Sequence, residues 1–400
     1  SAEKLVLNAN DAIATGNGSD SSNETISVGV IGSGGQIHTV GLTGADGITL
    51  GGNITTVDST GNTAAANATF TGPVILGADV TITTTDNDVD GAVSFTSTIN
   101  STGGVRELDI VADDAAVTVD GIIGGTGSLE SLDINKAANS TGAITLAGIG
   151  DSDTAGVDGA ATLIGGTHTA TITLGGTVYK TDDALTFTAV TSTSINGASA
   201  AFTTTADALT FTGPVLLGAS AGTPTMTTAN GALSFSSTLD GNSSNTQNLT
   251  ISTGSGAVTF TGKVGAAQQL GALLINNSAG TGAITFTEDI GDTAAGGTSG
   301  TSTIGNTTTA SIVFSDNYYK FDGATTFVAA TGANLDVNGT NTTFTTSGDA
   351  ISFNTANVTA ADGTLTVNSV GGAITFGGSI LGASAEKLVL NANDAIATGN

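Results

Sequence analysis

The sequence predicts an all-β chain wound as a parallel β-solenoid with coils of about 24 residues. Three observations carry that reading. An apolar marker recurs at nearly constant spacing, each marker sits in a short segment of alternating apolar and hydroxyl side chains, and larger blocks of the chain repeat one another. Recurrence of a short unit at a fixed period is what a solenoid needs, because each unit buries its apolar face only by stacking on the next.

The largest repeat comes first along the chain. Residues 1–17 read SAEKLVLNANDAIATGN, and residues 384–400 read the same, an offset of 383 residues. The expectation is that residues 1–400 are one continuous solenoid segment. It would be cut from a longer tandem array and would hold one 383-residue unit plus 17 residues of overlap. Within the unit, TFTGPVILGA at Thr69 returns as TFTGPVLLGA at Thr210, and VYKTDDALTF ending at Phe187 returns as YYKFDGATTF ending at Phe327. These matches define three arcs, about 70–210, 211–352, and 353–400 continuing into 1–69, the last of them shortened.

Below the arcs lies the coil. The markers Phe70, Phe95 and Val119, and then Phe187, Phe211, Phe235, Phe260 and Phe286, follow one another at 24 to 26 residues. Segments such as Ala257-Val258-Thr259-Phe260-Thr261 alternate with period two, the pattern of a half-buried strand. Thr is β-branched and suits a pleated surface. Gly, Asn and Asp punctuate the strands, as at Asp90-Gly91, Asn230-Gly231 and Asp362-Gly363. Phe is therefore expected at one inward phase, with Thr, Ser and Asn ladders outside. LDIN, LLIN and LVLN would put Asn135, Asn276 and Asn391 at one turn position. Spacings of 28 and 13 residues around Leu174 and Phe314 read as coils with protruding loops. At ~4.8 Å between stacked strands, about 16 coils would rise on the order of 77 Å per unit. The alternative fold is a string of β-sandwich domains, but those need about 100 residues each and distinct linkers. The chain has only 3 Pro to punctuate them.

Composition excludes several functions. Lys plus Arg number 7 against 34 Asp plus Glu, a net charge of −27, so no cationic surface exists for nucleic acid or for an anionic membrane. Apolar residues make up 38% of the chain, well above a disordered composition. No apolar run nears the roughly 18 residues that insert into a bilayer. Cys is absent, which removes disulfides, thiolate zinc sites and a Cys nucleophile. The two histidines, His38 and His168, stand far apart in Thr-rich strand contexts.

Two constellations stand out. Asp86, Asp88 and Asp90 alternate ahead of Gly91 and would converge on a hard cation, so calcium is the one candidate cofactor. Ser97 stands where a helix–loop–helix calcium site carries its bidentate Glu. The pairs Tyr179-Lys180 and Tyr319-Lys320 are candidates for a lateral contact or a carbohydrate-stacking platform. A solenoid enzyme acting on acidic polysaccharide needs clustered carboxylates and basic residues to hold its substrate. With one arginine, Arg106, and dispersed lysines, no enzymatic activity is expected.

Segments such as GAITFGGSILGASAEKLVLNAN and GAVTFTGKVGAAQQLGALLINNSAGTGAITF resemble the repeats of giant bacterial surface proteins of the filamentous-haemagglutinin-like class. The resemblance is one of style over most of the chain. It implies a right-handed parallel β-helix, export to the cell surface, and adhesion or surface architecture. The expected role is a structural segment of an extracellular filament or stalk. Its partners would be further copies of its own repeat along the fibre axis, and neighbouring fibres or cell-surface carbohydrate beside it. A carbohydrate- or receptor-binding adhesin shaft and a surface-layer subunit are the alternatives.

Overall fold

Alternating apolar and hydroxyl residues form strands of two to six residues, and no helix occurs among the described residues. The structure is a computed structural model. It describes residues 4–9, 25–33, 37–57, 64–85, 89–137, 139–242, 245–292, 296–354, 357–360, 363–382 and 386–393. The chain divides into two units, Ser1–Thr193 and Ser194–Asn400. Each is a parallel β-solenoid with strands stacked at about 24-residue spacing.

In the first unit the chain visits three faces in rotation. One face stacks Lys4–Ala9, Thr39–Gly44, Ala68–Thr71, Val93–Phe95, Val117–Val119, Ile144–Leu146 and Thr171–Leu174. The second stacks Thr25–Val28, Gly47–Leu50, Val74–Leu76 and Ile99–Ser101, and single bridges carry it on through Ile123 and Ile149 to Tyr179. The third runs from Ile54–Thr55 through Val80–Thr83, Glu107–Val111, Ser131–Ile134 and Thr162–Ile164 to Leu185–Thr188. Pairing is parallel and in register, so inward side chains form columns. Leu42, Phe70, Phe95, Val119, Leu146 and Leu174 make one column. Ile54, Ile82, Ile110, Ile134, Ile164 and Phe187 make another. All of these residues are buried.

The second unit repeats the plan. Phe211, Phe235, Phe260, Phe286 and Phe314 lie in register on one face. Their ring centroids are 5.2, 5.1, 5.0 and 5.4 Å apart, with planes within 8° of parallel. The spacing is close to that of the strands, so backbone pairing and ring stacking reinforce each other. A second face carries Phe202, Met226, Ile251, Ile275, Ile304, Phe327, Phe353 and Phe376 in register. The third carries Ile290, Tyr319, Phe344, Val367 and Leu390.

The corners share one device. Thr204 and Thr346 donate their hydroxyls to the carbonyls of Asp207 and Asp349 at 2.5 Å, and Thr253 donates to that of Gly256 at 2.6 Å. Thr228 and Ser369 bond the Gly231 and Gly372 carbonyls in the same way. These hydroxyl residues are all buried, so the turn carbonyls are satisfied without water. Glycine follows because the coils touch there. A Cβ on Gly256 would lie 1.8 Å from the Gly231 carbonyl oxygen, and one on Gly282 would lie 1.8 Å from that of Gly256.

The parallel pairing is the one expected of a solenoid and sets aside the sandwich alternative. Finer expectations need correction. Phe does not keep one phase: Phe211 and Phe353 head successive arcs, yet they lie on different faces of the second unit, so an arc is not a whole number of coils. The 13-residue spacings are steps between faces, because Leu174 and Phe187 occupy different columns, as do Phe314 and Phe327. The 28-residue spacing at Leu174 is a longer coil, its extra length held by the Asp151 turn. Asn135 and Asn276 do share a left-handed turn, with φ of 46° and 48°. Asn391 instead ends the strand Lys387–Asn391 opposite Asn368.

Removing the central ring by Phe260→Ala leaves Phe235 and Phe286 facing a cavity and should cost about 3–5 kcal/mol. Thr253→Val removes the donor to Gly256 and should cost about 1–3 kcal/mol. The outward Thr259→Val should stay within about 0.5 kcal/mol. Urea unfolding followed by circular dichroism orders the three; equal midpoints would contradict the column model of stability.

Candidate functional site

Outward residues on adjacent strands stand directly over one another, so surface chemistry in this fold is a matter of columns. Of the candidate calcium ligands, Asp86 and Asp88 lie outside the described residues. Asp90 is described, and its carboxylate accepts the Asp114 backbone N–H at 3.0 Å. Asp114 in turn accepts from the Thr141 hydroxyl at 2.8 Å. Asn67 and Asn230 do the same at other corners, accepting from the Ala92 and Ser255 N–H groups at 2.8 and 3.1 Å. Asp90 therefore belongs to a ladder of side-chain acceptors that joins one turn to the next. Among the described residues no group of three or more acidic or histidine side chains is gathered for a metal ion.

The tyrosines of the two Tyr-Lys pairs are not at the surface. In Val178–Thr181 and Tyr318–Phe321 the inward phase falls on Tyr179 and Thr181 and on Tyr319 and Phe321. Both Tyr179 and Tyr319 are fully buried, which withdraws their rings from lateral contact or sugar stacking. The Tyr179 hydroxyl donates to the Leu146 carbonyl and accepts the Gly176 N–H, each at 3.0 Å. That of Tyr319 accepts the Asp316 N–H at 2.8 Å. Burial pushes both phenols far above their usual 10.0. Lys180 and Lys320 point outward and are half-buried, and Lys180 donates to the Ser152 carbonyl at 3.1 Å.

Two charged columns escaped the sequence reading. On the first unit, Asp109 and Asp133 are register partners on adjacent strands. Each keeps one buried carboxylate oxygen without a hydrogen-bond partner, while Lys136 pairs with the other oxygen of Asp133. Desolvation raises the Asp109 pKa above its usual 3.8; Lys136 opposes the rise and the Asp133 charge adds to it. On the second unit, Lys263 reaches Asp289 at 3.0 Å, and Asp289 also accepts the Tyr318 N–H at 3.0 Å. The hydrogen bond to Asp289 raises the Lys263 pKa. With the Lys263 side chain 41% exposed, such a pair contributes at most about 1 kcal/mol. The only sequence signal for these columns was coincidence of register, visible once strands are aligned coil on coil.

His38 bonds the Ala64 carbonyl at 3.1 Å, and a ring nitrogen of His168 lies 3.3 Å from the hydroxyl of its neighbour Thr167. The remaining feature is apolar. The identical strands Lys4–Ala9 and Lys387–Asn391 each lie at the edge of a sheet. Ile380, Leu381, Leu388 and Leu390 are 39%, 45%, 42% and 49% exposed. A hollow of about 270 Å³ lies among Leu365, Ile380, Leu381 and Leu388.

Comparison with protein-family models finds no match, and comparisons with curated proteins and with solved structures find none either.

Two titrations check this picture. Below pH 10.0 the phenols are neutral in both states; above it the unfolded chain loses protons that the buried Tyr179 and Tyr319 keep, so stability falls as pH rises from 10.0. Phenolate absorbance should then show one of the three tyrosines, Tyr318, titrating in the folded chain, with the other two appearing only on unfolding. For Asp109 the folded pKa lies above the unfolded one, so its charge lowers stability as pH rises through that acid window. Asp109→Asn should raise the unfolding midpoint at pH 7 and leave it unchanged below the carboxylate's ordinary pKa.

Proposed function

We propose that this chain is a structural segment of an extracellular tandem-repeat protein that forms a surface filament or stalk. The observation that carries the reading is the in-register interior of each unit. Inside each sheet a strand is held by the strand one coil before it and the strand one coil after, and the column from Phe211 to Phe314 continues into Val337. A fold bonded this way lengthens by repetition, without a new kind of contact at each addition. The exterior supports the same reading. It is dominated by Thr, Ser and Asn, and with a net charge of −27 neighbouring molecules repel one another. The return of 17 residues at an offset of 383, and of shorter blocks about every 140 residues, supports the repetition, and the resemblance to giant bacterial surface repeats supports the location.

In this reading the protein works mechanically. Strand hydrogen bonds run along the stacking direction, and the apolar columns hold coil to coil at roughly 25 cal/mol per Å² buried. Electron microscopy of native material should show thin unbranched fibres with an axial repeat of roughly 70–80 Å per 383 residues and a strand spacing of ~4.8 Å. Beads on flexible links, or a planar lattice, would replace this proposal.

A further inference from the structure

The segment KLVLN occurs twice, and the structure gives each copy a different neighbour. At 387–391 it pairs with Thr364–Asn368, with Leu388 opposite Leu365 and Leu390 opposite Val367. At 4–8 it pairs with Thr39–Gly44, with Leu5 opposite Val40 and Leu7 opposite Leu42. Leu365, Val367, Val40 and Leu42 are all buried column residues. The same two leucines therefore point into an interior in both settings. One KLVLN strand placed between the two neighbours would continue both columns without shifting register or changing face. A slip of one residue would turn every leucine outward.

We propose that the Lys387–Asn391 strand takes Thr39–Gly44 of a second copy of this chain as its next neighbour, in the register that Lys4–Ala9 holds. The inference rests on the filament reading and specifies the joint. Leu365, Leu388 and the second copy's Val40 then form one column, and Val367, Leu390 and its Leu42 form the adjacent one. Leu388 and Leu390, now 42% and 49% exposed, become interior. Val389 takes the place of Val6 beside Gly41, whose side has open room: a Cβ there meets only the Val6 Cγ2, at 3.9 Å.

The absence of native cysteine makes the joint readable by disulfide trapping in the full chain. The donor carries Val389→Cys. The acceptor carries Gly41→Cys together with Leu5→Asp and Leu7→Asp, which take its own Lys4–Ala9 off the edge. On mixing and mild oxidation, the linked dimer should form at least about tenfold faster than with an acceptor bearing Thr43→Cys instead, because cysteines two residues out of register exceed disulfide reach. Adding Leu390→Asp to the donor should abolish linkage. Circular dichroism checks that the acceptor folds. If it does not, the acceptor with Gly41→Cys alone is used, where exchange against its own strand slows linkage but keeps the register preference. No dimer from a folded acceptor, or equal linkage at Thr43, overturns the joint. Native fibres in microscopy alongside that failure would leave the filament standing with another junction, whereas register-specific linkage without native fibres would retain the joint and remove the filament.

Discussion

The constraint on which the rest depends is parallel, in-register stacking of short strands. It places each side chain a strand spacing away from its equivalents in the neighbouring coils, so every position must suit its own kind above and below. Aliphatic and aromatic groups meet that condition. Five isoleucines stack from Ile54 to Ile164, and five phenylalanines stack from Phe211 to Phe314 with nearly parallel planes. A β-branched or flat side chain packs on a copy of itself at this distance without leaving a void.

The corners obey the same constraint through the backbone. Where a coil turns, carbonyls leave the ladder and face inward, and burying them unpaired would cost on the order of 1–3 kcal/mol each. Thr204, Thr228, Thr253 and Thr346 turn hydroxyls inward to meet them. Asn276 accepts the Thr253 N–H at 2.9 Å and donates to its hydroxyl at 3.2 Å, so one amide ties two successive coils. Asn tolerates the left-handed backbone needed there better than most residues do. The Gly and Thr content of the chain is thus largely corner chemistry as well as strand propensity.

This explains what the sequence made legible. The coil, the strand positions and the apolar interior could be read because period-two alternation and 24-residue recurrence report directly on inward phase. The face of each strand could not be read from a period alone. Phe211 and Phe353 look equivalent and lie on different faces, since the arc adds a fractional coil. Tyr179 and Tyr319 were misplaced because a hydroxyl-bearing aromatic next to lysine suggests a surface, whereas strand phase sends Tyr inward and Lys outward. The buried threonines were counted as exterior for a similar reason. A Thr or Ser three residues before a Gly or Asp, with Ala following, was the available sign of their inward role.

Stacking like on like also accounts for the sparse charge. Carboxylates one strand spacing apart repel, and a long acidic column would oppose the pairing that creates it. Only 10% of residues are charged, and hydroxyl and amide side chains take most outward positions. Asp109 above Asp133 is an instructive exception: Lys136 bonds the second carboxylate, and the first still has a raised pKa. The acidic residues that remain are often used as acceptors between coils, as Asp90 and Asp114 are, where backbone N–H groups and hydroxyls offset the charge. A chain can thus carry a net charge of −27 and still stack coil on coil, provided its carboxylates meet donors rather than one another.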